Sequence, residues 1–189
     1  MFDIIISVVK VYYANIANKK CEQSSINSLA SIRAEYVDSI RDANRKKQSL
    51  WVWKLLEFSF KKIFGHADFD FSYNGDFFSV NNDNVNFSLS HSKNIVVVAI
   101  SEKKVGVDVE ICSNKILKLN GKIDVLTTEQ NYNLIDKLTL AWTEKESLFK
   151  AKNCKKFHHV KINEFNDNYF ITVCCDCDDV EFIKVELDD

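Results

Sequence analysis

One seven-residue run places the tightest constraint on how this chain can fold. Val105-Gly106-Val107-Asp108-Val109-Glu110-Ile111 alternates apolar and non-apolar residues without a break. A period of two is the pattern of a strand with one buried face. Val105, Val107, Val109 and Ile111 then point into a core, and Gly106, Asp108 and Glu110 share the opposite face. Two carboxylates at i and i+2 on one face lie close enough to bind a single hard cation through oxygen. The glycine beside them leaves room for a bulky ligand near the backbone. An edge strand with a solvated acidic face has the same alternation, and the run alone does not separate the two.

Two more clusters carry chemistry. A helix expected over residues 137–152 contains Trp142, Glu146 and Lys150 at i, i+4 and i+8, along one stripe. Glu146 and Lys150 are either a routine surface pair or an oxygen ligand (or base) and a phosphate contact. Trp142 on the same stripe marks that face as partly buried. Upstream, Asn86-Phe87-Ser88-Leu89-Ser90-His91-Ser92 crowds hydroxyls around one imidazole. Strict alternation puts His91 with Phe87 and Leu89, whereas a turn after Ser90 releases it into a cleft. No glycines flank the Ser-His neighbours as a nucleophile elbow requires, so a hydrolase dyad is not indicated.

The rest of the chain supplies the frame. With 189 residues, 46% hydrophobic and 28% charged, it suits one large or two small globular domains. There is no proline and only 4 glycines, so Asn, Asp and Ser must make the turns. A strand is expected over residues 3–13, a helix over 25–40, and a longer helix over 42–64 that Gly65 stops. Residues 66–86 read as irregular structure with short strands and a turn at Asn74-Gly75. Strands follow at 86–90, 94–101 and 105–111, the last two joined as a hairpin by Ser101-Glu102-Lys103-Lys104. A polar connection over 112–136 holds a helix start near Thr127-Thr128-Glu129, and the tail reads as strands at 159–165, 168–175 and 180–186. Each half then contains strand, helix and further strand, with a split near residues 92–94.

Several function classes recede at this point. A net charge of −2 gives no overall basic field for nucleic acid, although Arg41, Arg45, Lys46 and Lys47 cluster, as do Lys150, Lys152, Lys155 and Lys156. None of the 6 cysteines has paired CxxC spacing, and Cys174, Cys175 and Cys177 read as free thiols in a reducing, cytoplasmic setting. The N-terminus lacks the basic flank and small-residue site of a signal peptide, and no apolar run approaches the length of a membrane span.

In order and spacing, the segments SHS, GVDVE and WTEKESLFKA resemble the 4′-phosphopantetheinyl transferase superfamily, in its larger, monomeric, surfactin-synthetase-activating type. The match is clear over residues 86–151 and looser around Asp42-Ala43-Asn44-Arg45. The resemblance implies an α+β fold of two similar α/β subdomains, residues 1–92 and 93–189, related by pseudo-twofold symmetry, with coenzyme A between them. It implies Mg²⁺-dependent transfer of 4′-phosphopantetheine from coenzyme A to a serine of an apo acyl or peptidyl carrier protein. Asp108, Glu110 and Glu146 become the magnesium ligands, with Glu146 also taking the serine proton. Lys150, Ser90 and His91 meet the coenzyme A phosphates, and Arg45 and Arg33 its 3′-phosphate. Lys152, Lys155 and Lys156 become a docking edge for an acidic carrier. The sequence departs from the family at Tyr73-Asn74-Gly75-Asp76, where the family has Tyr-Gly-Lys-Pro: Asp76 stands in place of a coenzyme A-binding lysine. A member that binds coenzyme A or carrier without catalysis is the alternative within the family. An unrelated phosphotransferase or an interaction domain is the alternative outside it.

Overall fold

The structure, a computed structural model, describes residues 8–27, 29, 31–73, 78–80, 85–125 and 131–188. In chain order, β1 (Val9–Asn15), α1 (Gln23–Asn27), α2 (Ser31–Ser39) and α3 (Ala43–Phe64) precede two short strands, β2 (Phe71–Tyr73) and β3 (Phe78–Val80). Then come β4 (Asn86–Ser92), β5 (Ile95–Ser101) and β6 (Val105–Ile111). A 3-10 helix at Asn114–Leu119 leads to α4 (Leu134–Ala151), and β7 (Lys156–Glu164), β8 (Asp167–Cys175) and β9 (Val180–Lys184) are the last elements of the described chain.

Local chemistry explains the two long helices. Asp42 caps α3 by accepting from the Arg45 amide at 2.8 Å, and Gly65 ends it at φ 79° with its N–H on the Lys61 carbonyl. Asn133 caps α4 by accepting from the Asp136 amide at 3.0 Å. Asp136 in the first turn and Lys150 in the last suit the helix dipole. The single helix expected over 25–40 is instead two, α1 and α2, with the buried Leu29 between them. Asn27 ends the first, a residue whose side chain competes for backbone hydrogen bonds. The helix start expected near Thr127 lies outside the described residues, as does the turn at Asn74-Gly75.

The strands form a four-stranded sheet in the order β4-β5-β1-β9, a three-stranded sheet in the order β6-β8-β7, and the separate pair β2-β3. All neighbours are antiparallel except β1 and β9. The hairpin expected between β5 and β6 does not form. Both edges of β5 are already occupied, by β4 and β1, so the chain at Ser101–Lys104 crosses to the other sheet and β6 pairs with β8. The expected boundary at residues 92–93 falls in the tight turn between β4 and β5, which pair with each other; the passage between sheets comes after β5. A β-α-β-β path therefore runs twice: β1-α3-β4-β5 with sheet order β4-β5-β1, and β6-α4-β7-β8 with order β7-β8-β6.

Alternation along the strands divides the core into layers. Val96, Val98 and Ile100 of β5 join Leu50, Trp53, Leu56 and Phe60 of α3 in one cluster. Ile95, Val97 and Ala99 face the other way, onto Val105, Val107 and Val109 of β6 and Ile171 and Val173 of β8. The two sheets thus pack face to face, with α3 behind one and α4 behind the other. On the α4 side, Thr143 and Thr172 share a buried hydroxyl hydrogen bond of 2.7 Å, and Ala151, Cys154 and Cys174 close a small cluster. Burial pushes the Cys174 thiol up to about 12.

Candidate functional site

The site lies where the edge strands of the two sheets, β4 and β6, run side by side. No backbone ladder joins them; serine side chains bridge instead. The hydroxyls of Ser88, Ser90 and Ser92 accept from the amides of Val107, Val109 and Ile111 at 3.0, 3.4 and 3.2 Å. Serine at alternate positions puts every hydroxyl on the same side of β4, in step with alternate amides of β6. Two of these hydroxyls pass their protons on: Ser90 donates to Asp108 Oδ1 at 2.7 Å and Ser92 to Glu110 Oε2 at 2.8 Å.

Lys150, in the last turn of α4, completes the junction. Its ammonium donates to the Leu89 carbonyl of β4 (3.4 Å), the Val107 carbonyl of β6 (3.0 Å) and Asp108 Oδ1 (2.8 Å). Gly106 makes this approach possible. A Cβ there would come within 2.0 Å of the Ser147 carbonyl oxygen and 2.5 Å of the Ala151 nitrogen, so α4 lies directly on the β6 backbone. The room expected for a ligand beside Gly106 is thus filled by α4 itself, which is a correction to the sequence reading.

Electrostatics follow from burial. Asp108 Oδ2 is buried and accepts no hydrogen bond from the described residues. Burial, and after it the Asp108 charge, raise the Glu110 carboxyl above its ordinary range, against the Ser92 hydrogen bond. The β4 strand runs unbroken through His91, so strict alternation holds and His91 shares a face with Phe87 and Leu89. Burial, then the Lys150 and Arg45 charges, lower its pKa to about 4, so the imidazole is neutral near pH 7. Ser90, His91 and Lys150 line a cavity of about 670 Å³ whose other walls include Trp53, Phe78, Phe87 and Leu89.

Of the residues singled out in the sequence, Ser90, His91, Asp108, Glu110 and Lys150 are brought together here, with exposed Arg45 in electrostatic reach of His91. Glu146 is half-buried on α4, and among the described residues it makes no hydrogen bond or ion pair; of the two alternatives the spacing left open, the surface pair with Lys150 does not form, because Lys150 turns inward. Arg33 is not part of the cluster. It is 4% exposed, 2.9 Å from Glu57, with its guanidinium 4.8 Å from the Phe71 ring centre and 5.6 Å from that of Trp53. A guanidinium so enclosed and paired ties α2 to α3. Lys156 spends its charge on Asp178, and Asp76 lies outside the described residues. The sequence reading missed the bridging roles of Ser88 and Ser92; three serines in alternation on a strand were their signal.

Among the described residues, no group of three or more His, Cys, Asp or Glu side chains is gathered to hold a metal ion. The donors present nevertheless suit one: Asp108 and Glu110 are hard oxygen donors, and Asp108 Oδ2 is a buried anionic acceptor with its coordination unfilled. Magnesium commonly takes one or two carboxylates and completes its shell with waters and substrate phosphate, so two suffice. No protein-family model matches the chain, and neither does any curated protein.

Proposed function

We propose that this protein is a Mg²⁺-dependent 4′-phosphopantetheinyl transferase that modifies a serine of an apo carrier protein, with coenzyme A as donor. The observation that carries the reading is the unfilled Oδ2 of Asp108, a carboxylate whose other oxygen accepts from Ser90 and Lys150, two residues that line a cavity of about 670 Å³. A buried carboxylate that accepts nothing on one oxygen is costly unless a ligand completes it. The cavity's mixture of aromatic walls and a cationic, hydrogen-bonding wall suits a nucleotide phosphate ester. The β-α-β-β path run twice supports two subdomains related by pseudo-twofold symmetry, as do the two faces the sheets present to each other.

In this reading the carrier serine oxygen forms a bond to the pantetheine-side phosphorus of coenzyme A. The bond from that phosphorus to adenosine 3′,5′-bisphosphate breaks, and the serine proton passes to Glu146. Asp108 and Glu110 would hold the metal, with Glu146 of α4 as the third carboxylate that the motif resemblance implies. When bound, the metal supplies charge neutralisation and positioning of the phosphates. Lys150 adds positive charge where the departing phosphate gathers negative charge. His91, neutral near pH 7, contributes a hydrogen bond rather than a charge. Asp108→Ala removes the central carboxylate and is expected to abolish transfer in a carrier-modification assay; retained turnover would sink the metal assignment.

A second reading rests on Glu146 standing apart from Asp108 and Glu110: a protein that binds coenzyme A without catalysis. Calorimetry with coenzyme A and Mg²⁺ separates the two when run beside the transfer assay. Binding without transfer favours the second reading.

A further inference from the structure

We infer that Lys150 is an internal counter-ion that occupies Asp108 in the free protein, and that a divalent cation binds only as Lys150 leaves. The inference rests on the function proposed above and deepens it by assigning the site an order of filling.

The geometry is unusual for a lysine in the last turn of a helix. Glu146 stands one turn before it, in the arrangement that forms ordinary surface pairs. Lys150 instead buries its head at the seam, with its side chain 21% exposed against Asp108 at 8%. An ammonium has three donors, and here three acceptors meet them: the Leu89 and Val107 carbonyls and Asp108 Oδ1. One acceptor belongs to β4 and two to β6, so the ammonium bridges both strands as well as neutralising the carboxylate. Among the described residues, Asp108 would otherwise be a buried anion held only by the Ser90 hydroxyl.

That arrangement cannot persist beside a divalent cation on the same carboxylate, because two positive centres a few ångströms apart in a shielded site repel strongly. Lys150 must swing away, and it already lines the cavity in which a phosphate ligand would lie. A phosphate group that draws the ammonium off Asp108 thereby opens the carboxylate to metal. Metal and phosphate ligand are therefore coupled through one side chain, and by linkage each raises the affinity for the other.

The test is Mn²⁺ binding to the full chain, followed by electron paramagnetic resonance and calorimetry, with and without coenzyme A. Wild type is expected to bind Mn²⁺ weakly alone and tightly with coenzyme A. Lys150→Met is expected to bind free Mn²⁺ about tenfold or more tighter than wild type, given the size of the removed repulsion, and to lose most of the enhancement by coenzyme A. Lys150→Gln removes the charge while keeping a donor for the carbonyls, and is expected to behave as Lys150→Met should the latter fold poorly. Lys150→Arg keeps the charge and is expected to stay weak. Free-metal affinity that is unchanged or lower in both neutral variants overturns the inference while leaving the proposed function intact. Absence of Mn²⁺ binding in every variant, even with coenzyme A, overturns both.

Discussion

At the scale of single residues, charge state is set by enclosure. His91 sits on an apolar strand face near two cations, and burial leads the effects that hold its pKa at about 4 against an ordinary 6.5. The unfolded chain therefore binds a proton that the folded protein refuses across that window. The stability this residue contributes is complete above pH 6.5 and is lost as pH falls toward about 4. Urea unfolding of His91→Gln is expected to show a shallower loss of stability over that range than wild type; parallel slopes would show that His91 is not what titrates. Arg33 obeys the same logic with a partner present. Glu57→Gln leaves the guanidinium enclosed by Trp53 and Phe71 without its counter-charge, and is expected to cost about 3 kcal/mol in urea unfolding. A loss within error of zero would show that the aromatic rings alone suffice.

At the scale of elements, the critical contact is α4 on β6. A Cβ at position 106 would meet backbone atoms of Ser147 and Ala151, which cannot rotate away as a side chain would. Gly106→Ala must push α4 outward, at an expected cost of about 1–3 kcal/mol, read as a lowered melting temperature. The same shift carries Lys150 off Asp108, so loss of stability and of site geometry should travel together. Much of this level was legible beforehand. The stop at Gly65 and the strict alternation of β6 are local signals, and the elements they predict are present; the cap at Asn133, which starts α4 three residues before the expected 137, was not read. Pairing was not legible. Whether β5 and β6 form a hairpin depends on what else occupies the edges of β5, and β1 lies some eighty residues away in sequence. Equally, a glycine in a strand says only that something comes close, and here it is the protein's own helix.

At the scale of the whole molecule, the site exists because two sheets meet at their edges. Ser90 and Ser92 come from one sheet, Asp108 and Glu110 from the other, and Lys150 from the helix behind the second. Neither half holds the group alone. Motif order in the sequence pointed to these residues, since alternation aims Asp108 and Glu110 to one side and helical spacing puts Glu146 and Lys150 on one stripe. It did not reveal that Lys150 would face Asp108 rather than Glu146, or that Arg33 would be enclosed, because both follow from packing between segments distant in the chain. The most direct measurement is intact-protein mass spectrometry of several apo carrier proteins, each incubated with this protein, coenzyme A and Mg²⁺. A gain of one phosphopantetheine on at least one carrier, abolished by EDTA and by Asp108→Ala, is the expected result. No gain on any carrier by folded protein that binds coenzyme A would contradict transferase activity.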